Sequence, residues 1–321
     1  MQTNFIQIHR KNAAAIREEI VAGLQAPQAF ASPKYLYDAL GSKLFEAICE
    51  LPEYYPTRVE AKIFEQYLYD IGRSVGRGVT LIDLGAGNCA KAARLFTTLR
   101  PVQYVPVDIS VEFLRDAMRC LQQRFPHIRM NGIGLDFSNS LELPDIVRSE
   151  KRLFFYPGSS IGNFTPEQAH AFLRNVRDAC QIGYRVDGSL LIGVDLIKEK
   201  GILDAAYDDS LGVTAAFNLN LLRHVNRVLE ADFDVRDWKH IGFFNVEKSR
   251  VEMHLEARRN LTVNWRGGQR DFARGERIHT ENSYKYTPEG FEQLLRESGF
   301  QMAHTWTDAN RWFMVCHARA A

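Results

Sequence analysis

The sequence has no two cysteines placed to clamp a fold or a metal. Its five, Cys49, Cys89, Cys120, Cys180 and Cys316, are widely spaced, odd in number and never in a CxxC arrangement. That excludes a disulfide framework or a zinc ribbon and points to a reducing compartment. The nine histidines never fall in HxxxH or HExxH spacing, so no metal is expected. An excess of one charge is missing too: 40 basic residues against 39 acidic ones leave a formal charge of +1, not the field expected of a nucleic-acid binder. No apolar run approaches the roughly eighteen residues of a membrane span. The opening MQTNFIQIHRKNAAAIREEI has neither the apolar core of a signal peptide nor the Arg-rich face of a transit peptide. A soluble, cytoplasmic protein with no nucleic acid or membrane partner is expected, and a monomer is the working expectation.

What is present is a chain of 321 residues, 45% hydrophobic, enough for one large α/β domain or two smaller ones. From about residue 79 strand-like and helix-like segments alternate, the pattern of a parallel sheet with crossover helices. VTLIDLGAG, QYVPVDI, IRMNGIGLDF, RLFFYPGSSIGN and GSLLIGVDLI read as strands, with KAARLFTTL and VEFLRDAMRCLQQRF as helices between them. Thr165, Pro166 and Gln168 give a helix start its N-cap, first-turn proline and capping box. After Leu196 the pattern breaks: residues 199–229 read as helices, while SRVEMHLEARRNLTVNW and ERIHTENSYKY alternate as antiparallel strands. Thr287 and Pro288 then open another helix, and MAHTWTDANRWFMVCHAR supplies a closing strand pair. Residues 1 to about 56 read as helical, with LPEYYPTR as a turn.

The glycine turn LIDLGAGNCAK fits several ligands. A P-loop needs GxxxxGK with Ser or Thr, and a dinucleotide fold wants a third glycine. Here the order is Gly85, Ala86, Gly87, Asn88, Cys89, Ala90. A tight turn with no ligand also fits. Successive strand ends carry Asp83, Asp108 and Asp136, the last followed by Phe137. A carboxylate about twenty residues past the loop can accept ribose hydroxyl protons. Three acidic strand ends repel a pyrophosphate and favour a nucleoside without phosphates, such as S-adenosylmethionine.

ELPEYYPTR, GSSIGNFTPEQ, AYDDSLGVTAAFNLNLL and TENSYKY together resemble the histidine-specific S-adenosylmethionine-dependent methyltransferases, which make hercynine on the route to ergothioneine. The likeness runs over nearly the whole chain. It implies a Rossmann-like class I methyltransferase sheet with an inserted α+β substrate-binding domain. Residues 57–198 plus 285–321 would bind S-adenosylmethionine, and 1–56 plus 199–284 would bind substrate and close over the sheet. Position by position, the resemblance implies that Gly85, Lys91, Asp108, Asp136 and Phe137 line the cofactor site. It likewise implies that Tyr54, Asn163, Tyr207, Met253, Glu281 and Ser283 line the histidine site. Ala86 stands where the family often has serine.

Methyl transfer from sulfonium to amine is an in-line displacement, so the protein chiefly aligns the reacting atoms and excludes water. Asn163 and the Tyr207 hydroxyl are expected at the amine and carboxylate, and Tyr37 at the amine end of a chamber holding a growing cation. Glu281 and Ser283 lie two apart on a strand and so share a face, as a pair addressing two imidazole nitrogens should. Glu281 is expected to be the main determinant of substrate identity. The competing readings are a methyltransferase of another amino acid, indole or 5-thiohistidine, and a non-catalytic S-adenosylmethionine-binding protein.

Overall fold

A computed structural model describes residues 4–8, 12–137 and 140–321. The chain divides into two compact units: Met1–Arg10, Val59–Leu196 and Tyr286–Ala321 form the first, and Lys11–Arg58 and Ile197–Lys285 the second.

The first unit is built on an eight-stranded sheet. Thr80–Leu84 lies inside it, flanked on one side by Gln103–Asp108, Arg129–Gly134 and Asn4–Gln7, and on the other by Arg152–Tyr156, Gly188–Asp195, Phe313–Ala320 and Phe300–Thr307. The first six are parallel, Phe313–Ala320 runs antiparallel to them, and Phe300–Thr307, antiparallel to Phe313–Ala320, takes the direction of the six again. The chain winds outward both ways from Thr80–Leu84, so the strand order reverses there, the place where open α/β sheets present their ligand crevice. Strand alternation sends Ile82, Val105, Phe154 and Leu190 into one apolar core and Leu81, Tyr104, Leu153 and Leu191 into another. A sheet buried on both faces reads as the continuous apolar runs seen in the sequence.

The expected capping box is present: Thr165 Oγ1 accepts from Gln168 N–H, and Gln168 Oε1 accepts from Thr165 N–H at 2.9 Å. Two expectations need correction. KAARLFTTL is not one helix but two short ones, Ala90–Ala93 and Phe96–Leu99, ended by Arg100 in the left-handed region at φ 45°. Residues 1–56 are not helical throughout, since Asn4–Gln7 joins the sheet edge beside Arg129–Gly134. Residues 1–3 and 9–11 lie outside the described residues.

The second unit sets helices Ala13–Gln25, Ala39–Glu50, Lys200–Tyr207 and Val213–Leu229 with a three-stranded antiparallel sheet, Arg277–Tyr284, Arg250–Ala257 and Trp238–Asn245, and a hairpin, Leu261–Trp265 with Gly268–Phe272. Asp209 starts the helix Val213–Leu229, accepting from Val213 N–H at 2.9 Å and Thr214 N–H at 2.7 Å. This explains the second aspartate of AYDDSLG. The basic stretch beside Trp265 is tied down: Arg259 pairs with Asp237 at 2.7 Å, and Arg270 with Glu276 at 2.7 Å.

Candidate active site

In the first unit the loop after Thr80–Leu84 turns on glycines with φ of 70° at Gly85 and 51° at Gly87, conformations that a Cβ disfavours. A Cβ on Gly85 would meet the Phe137 ring at 3.8 Å, while one on Gly87 would meet nothing within 4 Å. Asp108, at the end of its strand, accepts from Gly87 N–H at 3.0 Å and Ser110 N–H at 2.8 Å, which fixes its carboxylate beside the loop. Phe137 packs edge-on against Tyr156 at 5.8 Å. Asp136 precedes it, two residues beyond Arg129–Gly134. Lys91 pairs with Glu60 at 2.7 Å, and the same carboxylate takes Gly158 N–H at 2.6 Å.

Loop, acceptor and ring thus meet at the carboxyl ends of the strands. A carboxylate for a ribose diol, an apolar ring for adenine and an ammonium for an amino-acid carboxylate suit S-adenosylmethionine. Asp83 is the exception among the acidic strand ends. It is buried and accepts the Tyr104 hydroxyl proton at 2.7 Å, and burial pushes its carboxyl up to about 7. Asp83 therefore belongs to the core, not to a ligand site. Glu60, 1% exposed, went unnoticed in the sequence because nothing in its helical spacing separates it from a solvated acid. Asn163 ends the short helical turn Ser160–Asn163 in GSSIGN.

The second unit gathers the remaining residues. Met253 faces Glu281 and Val251 faces Ser283 across the strand pair, so Met253, Glu281 and Ser283 share a sheet face. Tyr207 ends its helix with the ring at 6.0 Å from Tyr54. Phe45 lies 6.1 Å from Tyr54 and 5.5 Å from Tyr37, which also meets Phe217. The result is an aromatic wall from Tyr37 to Tyr207. Tyr54 is held by its turn, where the Arg58 guanidinium collects the carbonyls of Leu51, Pro52 and Tyr54. Burial, with Tyr207 beside it, keeps the Tyr54 phenol well above its ordinary range, so it stays a neutral hydroxyl.

Tyr207 is positioned by backbone contact. A Cβ on Gly242 would lie 2.4 Å from the Tyr207 carbonyl oxygen, so glycine is what admits the helix end. His240 Nε2 donates to that carbonyl at 2.8 Å, and Asn218 Nδ2 donates to His240 Nδ1 at 2.9 Å. The Tyr207 hydroxyl donates to Ser283 Oγ at 2.8 Å. Lys285, 3% exposed, donates to Ser283 Oγ at 2.8 Å and to Tyr207 Oη at 3.1 Å. Sequence reasoning missed Lys285, although alternation places it on the face of Glu281 and Ser283. Glu281 is 8% exposed and its Oε2 has no hydrogen-bond partner among the described residues. Burial pushes its carboxyl up to about 7, against the pull of the Lys285 ammonium.

The opposite face of the same sheet carries Glu252, His254 and His279, whose donor atoms lie within 4.8 Å of one another. The two imidazoles stack at 4.8 Å with 30° between planes, which keeps their in-plane lone pairs from converging on one ion. Arg250 pairs with Glu252 at 2.7 Å. The cluster reads as an ion-paired histidine stack.

Residues 16–320 match the family model described as histidine-specific methyltransferase, SAM-dependent. The chain is 40% identical over 303 residues to a histidine N-alpha-methyltransferase of Mycolicibacterium smegmatis, covering 92% of each. It is 37% identical over 300 residues to the protein of the same name from Mycobacterium tuberculosis, covering 92% of this chain and 91% of that one. Ergothioneine biosynthesis protein 1 of Neurospora crassa is 30% identical over 288 residues, 86% of this chain and 32% of that protein. With a glycine loop, strand-end carboxylate and ring in one unit, and in the other a buried carboxylate whose Oε2 has no hydrogen-bond partner among the described residues, the chain belongs to the histidine-specific, S-adenosylmethionine-dependent methyltransferases.

Proposed function

We propose that the protein methylates the α-amine of free L-histidine, up to the trimethylated betaine hercynine, as a cytoplasmic enzyme that serves ergothioneine formation. The observation that carries this reading is the Glu281 carboxylate, buried and with Oε2 unpartnered among the described residues. Leaving such a group unpaired is costly, and an imidazole N–H is a partner of matching shape and polarity. Ser283, two residues on, addresses the second ring nitrogen, and Met253 packs opposite Glu281.

S-adenosylmethionine, when bound, supplies an electrophilic methyl group on a sulfonium, whose charge also disfavours a neighbouring ammonium. Gly85, Asp108, Asp136, Phe137 and Lys91 would hold it. The attacking amine, with an ordinary pKa of about 8, must shed its proton. Asn163 and Tyr37 are assigned to the amino-acid end of the substrate. Each methylation retains positive charge and adds bulk, and the aromatic wall suits this by cation–π attraction of about 1 kcal/mol.

The test is mass spectrometry of purified protein incubated with S-adenosylmethionine and a panel of free amino acids: histidine, its dimethyl form, tryptophan and 5-thiohistidine. Histidine gaining up to three methyl groups, with that activity lost in Glu281→Ala, is the expected result. Binding of cofactor with histidine left unmodified overturns the substrate assignment.

A further inference from the structure

Ser283 is held so that it has one way to meet a ligand. A serine hydroxyl offers one proton and two lone pairs, and an ammonium only donates. Lys285 Nζ donates to Ser283 Oγ at 2.8 Å, and Tyr207 Oη donates to the same oxygen at 2.8 Å. Both lone pairs are thereby occupied, and the hydroxyl proton is what remains. Beside it, an ionised Glu281 can only accept. One face of one strand thus presents an acceptor and a donor two residues apart, each buried enough that a mismatch leaves an unsatisfied group. A neutral imidazole has the complementary pair, one N–H and one lone-pair nitrogen. An indole or a pyrrole has only the N–H, and an imidazolium has two.

We infer that Lys285 is a positioning residue that sets substrate specificity by fixing Ser283 as a hydrogen-bond donor, so that the site selects a neutral ring with one N–H and one lone-pair nitrogen. This rests on the proposed histidine methylation and names the group that reads the second nitrogen. Lys285 acts through Ser283 and not on the amine. Its ammonium also lies 4.8 Å from the Tyr207 ring centroid, which holds the donating phenol in place. Without Lys285 one lone pair of Ser283 is released, and the Tyr207–Ser283 bond can reverse, the serine proton turning to the phenol oxygen. Ser283 could then accept as readily as donate.

The experiment compares kcat/KM for histidine, pyrrolylalanine and 4-thiazolylalanine in wild-type protein, Lys285→Met and Ser283→Ala. Pyrrolylalanine keeps the N–H and lacks the lone-pair nitrogen, whereas thiazolylalanine keeps a lone-pair nitrogen and lacks the N–H. Wild-type protein is expected to favour histidine over pyrrolylalanine by about tenfold to a hundredfold, the consequence of one unmet buried donor. In Lys285→Met and in Ser283→Ala that preference should shrink at least about fivefold, while the preference over thiazolylalanine, set by Glu281, holds. A purely structural lysine would lower all three substrates in proportion. An unchanged histidine-to-pyrrolylalanine ratio in Lys285→Met, whatever Ser283→Ala does, overturns the inference while leaving histidine methylation standing. Wild-type protein that binds S-adenosylmethionine yet leaves histidine untouched overturns the function itself, and the inference with it.

Discussion

A buried carboxyl held near neutrality is balanced between two forms, and at Glu281 that balance falls inside the working range. Burial raises it to about 7 against the opposing pull of Lys285. Only the ionised form accepts an imidazole N–H with full strength, so histidine capture should weaken as pH falls through 7. The rate must already fall toward acid, because the substrate imidazole and amine both gain protons there. Glu281 adds one more proton to that fall. In Glu281→Gln the carboxamide oxygen still accepts but nothing titrates. The expected outcome is a kcat/KM lower by about tenfold to a hundredfold, with an acid limb shallower by one unit of slope than in wild-type protein. Parallel acid limbs would show that Glu281 stays in one protonation state throughout.

At the scale of elements, the close approach of the helix Lys200–Tyr207 to the strand Trp238–Asn245 decides where the Tyr207 hydroxyl sits. Gly242→Ala would put a methyl group 2.4 Å from the Tyr207 carbonyl oxygen, and one side must move. Overpacking of this kind costs about 1–3 kcal/mol, and the hydroxyl moves with the backbone. Histidine turnover should fall more than about tenfold, while S-adenosylmethionine affinity, measured by calorimetry, should match wild type. Equal loss of both would mean general unfolding. The strand holding Gly242 was not legible in the sequence, because WKHIGFFN is half-buried along most of its length and shows no clean alternation. The parallel strands were legible because two-sided burial makes them continuously apolar, and the helix at Thr165 because its cap is local chemistry. Asp83 misled for a physical reason: a strand-end aspartate looks the same whether it meets a ligand or, as here, a tyrosine from the neighbouring strand. Lys285 shares the alternation of Glu281 and Ser283, but a lysine at a strand end reads as solvated, and only the fold shows it buried.

Across the whole molecule, buried titratable groups pull stability in opposite directions over one pH window. Asp83 and Glu281 have carboxyls raised by burial to about 7, so the folded chain binds more protons than the unfolded one, and stability falls as pH rises through the window. His279 and His317 are pushed down by burial to about 4 from the ordinary 6.5. For them the unfolded chain binds more protons, so stability rises with pH. These two pairs roughly offset one another. His240 and His254, also lowered by burial, add stability that grows as pH rises toward 6.5. Below that, Glu252, held at about 2 by Arg250 and His254 against the cost of its burial, is protonated in turn and removes more. Asp83→Asn deletes one opposing carboxyl without touching the site residues. Between about pH 4.5 and 6.5 its stability should therefore climb more steeply with pH than that of wild-type protein, by up to about 1.4 kcal/mol per pH unit for the one proton removed. Urea denaturation without ligands at several pH values measures the two slopes. Identical slopes would mean that Asp83 is ionised in the fold, its charge carried by the Tyr104 hydroxyl alone.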